Sequence, residues 1–387
     1  MSWIKVSLSD VADFSNGVNF DKSAYSAGVK LIGVSNFGDR FSPDYDELQE
    51  IDAKVVRPGD YLRDGDIVFV RSNGNKELVG RCMLIKEPRY PVTYSGFCIR
   101  ARIKDLNKHD SIFFTYYFKS KAFRKALAGN AIGANIQNLS QGRLSNHIAC
   151  VPEIEIQRKI AGILSAYDDL IENNQKQIKL LEEAAQRLYK EWFVDLRFPG
   201  YETTPITDGI PEGWGMEELR NIATLKAGGD KPKVFSKEKS SNCNVPVFSN
   251  GTENEGLYGY TNQAEILDPC VTISARGSVG YTCLRKTAFV PIVRLISVIP
   301  TRIEVEYLYY FLKNMVFESN GAAQQQITVP MIKNKQVLLP SKTVMGLFVS
   351  QVRPMMDLRE CLKGKIMSLC EARDRLLPKL MNGEIEV

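Results

Sequence analysis

Residues 153–193 read EIEIQRKIAGILSAYDDLIENNQKQIKLLEEAAQRLYKEWF, a run with no proline and one glycine, Gly162. Leu164, Tyr167, Ile171, Asn174, Ile178, Leu181, Ala185, Leu188 and Trp192 fall alternately three and four residues apart, the spacing of a coiled-coil seam. The stretch therefore predicts one long helix from Pro152 onward, with an apolar stripe that needs a partner. Near the C-terminus Val352, Met355, Leu362, Ile366, Leu369, Leu376 and Leu380 supply a second stripe, and the two helices are expected to pack together, antiparallel. Pro354 is expected to kink or restart the second helix near its start, and Pro378 and Gly383 to mark its end. At about 1.5 Å per residue each helix would reach roughly 60 Å, more than a compact domain needs for its own packing. A spacer follows. Asn174 either fixes the register of the pairing or is a partly solvated amide on the seam.

Outside these helices the chain says nearly the same thing twice. Trp3, Leu8, Val11, Ala12, Phe14 and Gly17 recur as Trp214, Leu219, Ile222, Ala223, Leu225 and Gly228, all in one register. Arg71 and Gly80 recur as Arg276 and Gly280, and Tyr116, Tyr117 and Phe118 as Tyr309, Tyr310 and Phe311. Gly133, Ala134, Pro152, Ile178, Leu181, Glu183, Ala184, Arg187 and Leu188 recur as Gly321, Ala322, Pro340, Ile366, Leu369, Glu371, Ala372, Arg375 and Leu376. The displacement only shrinks along the chain, which is the mark of unchanged order with loop deletions. Two copies of one unit would give approximate rotational symmetry within one chain; a plain enlargement by duplication would leave the same trace.

Within each copy, short runs rich in β-branched and aromatic residues at 66–70, 97–103 and 291–299 predict strands, and 7–14, 112–125 and 305–317 predict short helices. The fold class is mixed α/β: two similar globular domains joined by two long, antiparallel, coiled-coil-like helices, with an internal pseudo-twofold repeat. The expected organisation is a first domain at 1–151, a long helix at 152–195, a Pro/Gly/Thr-rich linker at 196–213, a second domain at 214–339, and a second long helix with the tail at 340–387.

Composition narrows the function. The chain has 387 residues, 44% hydrophobic and 25% charged, with no uncharged apolar run that could span a bilayer. MSWIKVSLSD lacks a basic segment followed by an apolar core, so the cytoplasm is expected. The eight cysteines, Cys82, Cys98, Cys150, Cys243, Cys270, Cys283, Cys361 and Cys370, form no CxxC pair, and only His109 and His147 accompany them, which argues against structural zinc. In a reducing compartment such cysteines are small buried hydrophobes. The net charge of +5 permits an electrostatic share in nucleic-acid binding without demonstrating it.

Catalytic motifs are missing. The sequence has no Walker loop, GxSxG elbow, HExxH helix or glycine-rich dinucleotide turn, and no Asn-Pro-Pro-Tyr-like run of the kind that holds an extruded base in amino-methyltransferases. One grouping offers an alternative: Pro43, Asp44, Asp52 and Lys54 match the acidic-and-lysine pattern of magnesium-dependent nucleases, though in a segment that reads as an exposed acidic loop without a copy in the second half. A further alternative is a coiled-coil scaffold that binds no DNA.

Polar loops suit DNA contact better. VRSNGNKELVGR at 70–81 offers Arg71, Asn73, Asn75, Lys76 and Arg81, and ISARGSVGY at 273–281 offers Arg276 and Ser278, each where a turn joins two strands. GANIQNLSQGR at 133–143 offers Asn135, Gln137, Asn138 and Arg143, and GAAQQQITVPM at 321–331 offers Gln324, Gln325 and Gln326; such amides can pair with adenine. KAGGDKPKVF and FSNGTENEGLYGY add Lys231, Lys233, Ser249 and Asn250. Solvated turns and loop-filling amides would present the same residues.

The whole chain resembles the specificity subunits of type I restriction-modification enzymes. The resemblance is carried by the W…L…A…G openings at Trp3 and Trp214, IQRKIAGIL after Pro152, RLYKEWFVDLRFPG around Trp192, PEGW at Pro211, and the C-terminal LLPKLMNGEIEV. It implies two target-recognition domains on double-stranded DNA, each reading half of a split site. The two helices would act as a ruler and as the docking surface for two modification subunits. It further implies that this chain binds no cofactor and catalyses nothing. Adenine methylation with S-adenosylmethionine would belong to the modification subunits, and ATP- and magnesium-dependent translocation and cleavage to restriction subunits. Recognition domains in the family vary greatly, so the resemblance transfers no base-contacting residue. Two domains on rigid helices could engage major-groove faces about 34 Å apart.

Overall fold

In the computed structural model of the chain, which describes residues 3–38, 40–75, 78–128, 138–316 and 326–387, the strand Ile67–Val70 is buried on both faces. Side chains alternate along a strand. Ile67 and Phe69 join a core with Phe113, Phe114 and Phe118, while Val68 and Val70 join a second core with Ile32 and Tyr94 on the opposite face. An unbroken apolar run is what a strand covered on both sides requires. It lies inside a four-stranded antiparallel sheet in the order Ala12–Asn16, Cys98–Ile103, Ile67–Val70, Cys82–Leu84. A three-stranded sheet runs Gln49–Ile51, Tyr25–Ile32, Val92–Tyr94, its second pairing parallel, and Trp3–Ser7 pairs with Ile148–Pro152. Helix Ser111–Lys119, capped by Asp110 accepting the Phe113 N–H at 2.8 Å, covers the first core.

The second copy repeats this topology. Ala223–Ala227, Ile296–Pro300, Cys270–Ile273 and Thr282–Arg285 form the four-stranded sheet, and Leu257–Thr261, Val245–Phe248 and Val290–Pro291 the three-stranded one. Gly215–Glu218 pairs with Gln336–Leu339. Three expected elements differ. The run 112–125 is two helices, Ser111–Lys119 and Lys121–Ala128, broken at Ser120, whose backbone is extended (ψ 144°). Residues 7–14 are helical only over Leu8–Val11; from Ala12 the chain is a strand, because alternation of Ala12 and Phe14 with Asp13 serves the sheet. The run 291–299 is not one strand. Val290–Pro291 and Ile296–Pro300 belong to different sheets and are separated by a tight turn.

The chain divides into two compact units, Met1–Gln175 with Lys363–Val387, and Lys176–Leu362. Both long helices are therefore shared: Ile154–Tyr189 and Lys342–Met381 each give one part to each unit. In the first unit Leu164 and Leu380 lie in one core, and Asp168 pairs with Arg373. In the second, Glu182 pairs with Arg359 and Trp192 meets Phe348, an antiparallel order. A π-turn over Lys190–Val194 closes the first helix and brings adjacent Trp192 and Phe193 both into the core. Of the seam residues, Leu164, Ile171, Asn174 and Leu362 are buried, and Ile178, Leu181, Leu188, Ile366, Leu369 and Leu376 half-buried.

Pro354 does not restart the second helix, which runs unbroken through it and through Pro378. Pro354 faces solvent, where water can take up the freed carbonyl, and the helix is held on either side of it by buried Val352 and Met356. The end is set at Gly383 (φ 74°): the Gly383 N–H donates to Leu380 O (3.4 Å) and the Glu384 N–H to Lys379 O (2.9 Å), a Schellman arrangement.

Burial pushes the Cys82 thiol up to about 11 and those of Cys98 and Cys270 up to about 12, so these three pack as unreactive apolar groups, whereas Cys150 and Cys361 are exposed, against the expectation of buried cysteines. Among the described residues no helix is long and apolar enough to cross a membrane.

Candidate nucleic-acid interface

In the second copy, the hairpin Cys270–Ile273 and Thr282–Arg285 is joined by a loop that Gly277 (φ 69°) and Gly280 (φ 85°) allow to turn. Arg276 and Ser278 are exposed on it. The Arg276 Nη2 donates to Gln326 Oε1 at 3.1 Å, and the Ile327 N–H donates to Ala275 O at 3.0 Å, so hairpin and amide loop form one surface. Asn250 braces it: its Oδ1 accepts the Ala275 N–H and its Nδ2 donates to Val293 O, both at 2.7 Å. Its amide thus makes one bond from each end within the protein, and the half-buried side chain links the turn to the hairpin loop. Ser249 is half-buried beside it, and Lys231 and Lys233 are exposed, with the Lys231 ammonium 4.7 Å from the centre of the Phe235 ring.

Val293 O belongs to the turn 292–295, closed by the Leu295 N–H donating to Ile292 O at 3.1 Å. Val293 (φ 53°) and Arg294 (φ 62°) occupy the left-handed region, which costs a non-glycine residue about 1–3 kcal/mol. The adjoining strand can approach because Gly228 has no side chain: a Cβ there would lie 2.6 Å from Pro291 O. Gly17 in the first copy serves the same purpose, where a Cβ would lie 2.2 Å from Tyr94 O.

The first copy carries an equivalent junction. Leu139 N–H donates to Arg71 O at 2.8 Å, and Arg71 N–H donates to Phe97 O at 2.8 Å. Gly80 N–H donates to Val70 O, as Gly280 N–H does to Ser274 O. These bonds and the strand registers align Arg71 with Ala275, not with Arg276 as the repeated arginine suggests. The longer loop in the first copy hid a one-residue slip. Arg71 is half-buried, its Nη1 donating to Gly96 O at 3.3 Å, so it holds the neighbouring turn rather than projecting freely. Asn73 Oδ1 accepts the Asn75 N–H (3.2 Å); Arg81 is half-buried, and Asn138 and Arg143 are exposed. Lys76, Asn135, Gln137, Gln324 and Gln325 lie outside the described residues.

Sequence reasoning missed Phe97, 63% exposed, and the pair Val293 and Arg294. The Ser-Gly step before Phe97 was an available turn signal; Val-Arg carries none.

The carboxylates of the nuclease alternative are occupied locally. Asp44 accepts the Asp46 N–H (3.2 Å) and pairs with Arg40, and Asp52 accepts the Lys54 N–H (2.9 Å), each capping its own short turn. Among the described residues no three His, Cys, Asp or Glu side chains are grouped to hold a metal ion.

The sequence profile described as the type I restriction modification DNA specificity domain matches residues 2–183 and 211–346. The specificity subunit of the type I restriction enzyme MjaIX from Methanocaldococcus jannaschii is 29% identical over 299 residues, covering 70% of this chain and 68% of its own. That of the HindI enzyme from Haemophilus influenzae is 22% identical, over 99% of both chains. The crystal structure of a type I restriction-modification S subunit from M. genitalium superposes with a TM-score of 0.62 at 15% identity, covering 98% of this chain and 96% of that one, a likeness of fold.

Proposed function

We propose, from the premise that this chain belongs to the family of type I restriction-modification DNA specificity domains, that it reads a bipartite duplex DNA target with one half-site per copy. The observation that carries this reading is that one junction is built twice on one topology: a hairpin loop, an amide-bearing loop and an exposed turn, tied by equivalent backbone bonds around Ala275 and around Arg71. Different side chains on one frame are what two different half-sites require. Among the described residues, Arg276, Ser278, Gln326, Lys231 and Lys233 in the second copy, and Asn75, Asn138, Arg143 and Phe97 in the first, are groups available to base edges or phosphates.

In this reading the recognition domains fall at 1–151 and 214–339, and the helices, of 36 and 40 residues, set the spacer between half-sites. Two modification subunits dock on the helices and methylate adenine with S-adenosylmethionine; restriction subunits supply ATP- and magnesium-dependent translocation and cleavage. This chain supplies recognition to that complex and no chemistry of its own. The test is genome-wide mapping of methylated adenine in cells with and without this chain beside its modification subunit. A split motif that vanishes with the chain is expected. No chain-dependent motif from an intact complex would overturn the reading.

A further inference from the structure

Arg294 is exposed and, among the described residues, its guanidinium has no hydrogen-bond or ion-pair partner; Val293 is 49% exposed. Left-handed positions in a two-residue turn ordinarily hold Asn, Asp or Gly, and a β-branched residue is the least suited to them. Neither packing nor turn chemistry explains Val-Arg at this place. Yet the turn is held rigidly. The Val293 N–H donates to Gly229 O and the Arg294 N–H to Gly228 O, both at 2.9 Å, while Val293 O accepts from Asn250. The same Asn250 holds the loop of Arg276, so an apolar tip and two guanidinium groups share one braced surface. A tip fixed in advance loses little freedom on binding.

The first copy supplies an independent comparison. Gly96 N–H donates to Val18 O as Val293 N–H does to Gly229 O, and Cys98 N–H donates to Ser95 O as Leu295 N–H does to Ile292 O. Phe97 therefore occupies the place of Arg294 and is also exposed. One position is the projecting tip in both copies and carries different chemistry in each. We propose that Val293 and Arg294 determine specificity in the second half-site, reading base edges of duplex DNA, the valine methyls against a thymine methyl and the guanidinium fork against guanine O6 and N7. This inference rests on the DNA-reading function proposed above.

The test assembles the full chain with its modification subunits and selects methylated duplexes from a random pool. Val293→Asn/Arg294→Gly keeps the turn with residues that favour it, and Arg294→Lys keeps the charge without the planar fork. Both variants are expected to relax discrimination by roughly tenfold or more at a base pair of the second half-site, leaving the first half-site and the spacer unchanged. Unchanged preference at every position, or uniform weakening with the motif intact, would overturn the inference alone. A wild-type complex that selects no split sequence would overturn the underlying reading and this inference with it.

Discussion

Asp168 on the first long helix accepts a hydrogen bond from Arg373 Nη1 on the second at 2.5 Å, with only 8% of its side chain exposed. Its other oxygen accepts from the hydroxyl of Tyr116, which burial, with Asp168 beside it, drives far above the usual phenol range. One carboxylate thus ties the globular part of the first unit to both helix segments. Arg373→Met is expected to cost about 3 kcal/mol, because it strands a buried charge. Asp168→Asn/Arg373→Met should recover most of that loss. Urea denaturation checks both; a loss below about 1 kcal/mol in the single variant would mean the pair holds little.

In the second unit the buried partner is the arginine. Arg359, 7% exposed, meets Glu182 at 3.2 Å and Glu360 at 2.7 Å, and Glu182 is 38% exposed. Glu182→Gln leaves Arg359 a carboxylate, so its cost should stay below about 1 kcal/mol. The contrast between the two substitutions in one denaturation series is the observable.

Both histidines lie in the first unit, and burial holds each imidazole below its ordinary value of 6.5, with Asp105 pulling His109 more weakly the other way. A lowered folded-state value means that the unfolded chain binds more protons just below pH 6.5, so stability present above that pH is lost as the pH falls. His147 Nε2 lies 2.8 Å from the Tyr117 hydroxyl and its ring packs edge-on against Phe123, so protonation disturbs a packed site. Hydrogen exchange, corrected for intrinsic rates, should show the first unit loosening below about pH 6 while the second, without a histidine, does not. Equal responses would contradict this account.

The frame was legible in the sequence because steric and burial constraints act on the same positions in both copies. The glycines Gly17 and Gly228 recur since any side chain would strike backbone, and the stripe from Leu164 to Trp192 recurs at helical spacing since it must be covered. The recognition surface was much less legible. Repeated arginines at 71 and 276 suggested equivalent roles, but only strand register and backbone bonds showed Arg71, half-buried and bonded to Gly96 O, aligned with Ala275. The turn at Val293 and Arg294 is invisible to turn chemistry, because tertiary bonds from Asn250, Gly228 and Gly229 hold it against local preference. Pro354 misled in the same way, since packing on both sides of it outweighed one lost helix bond.

Phe97 offers a separate test of the first half-site. Its side chain is largely in water, so Phe97→Ala should alter stability by less than about 1 kcal/mol. It should nevertheless change the bases selected in the first half-site and leave the second alone. Selection from a random duplex pool reads this directly, and an unchanged first half-site would place Phe97 outside the interface.

Asn250 separates bracing from contact. Its amide satisfies the Ala275 N–H and Val293 O together, so Asn250→Ala leaves both without that partner and detaches the turn from the hairpin loop. The expected cost is about 1–3 kcal/mol of stability, with weaker discrimination throughout the second half-site rather than at one base pair. Asn250→Asp keeps the acceptor for Ala275 but loses the donor to Val293 O and sets two acceptors face to face, so the turn should loosen while the hairpin loop stays. The aspartate variant should therefore lose discrimination where Arg294 reads and retain it where Arg276 reads. Were both variants to bind every sequence as the wild type does, the bracing would have no part in recognition. Were both to lose the same positions, turn and hairpin loop would be one element, not two.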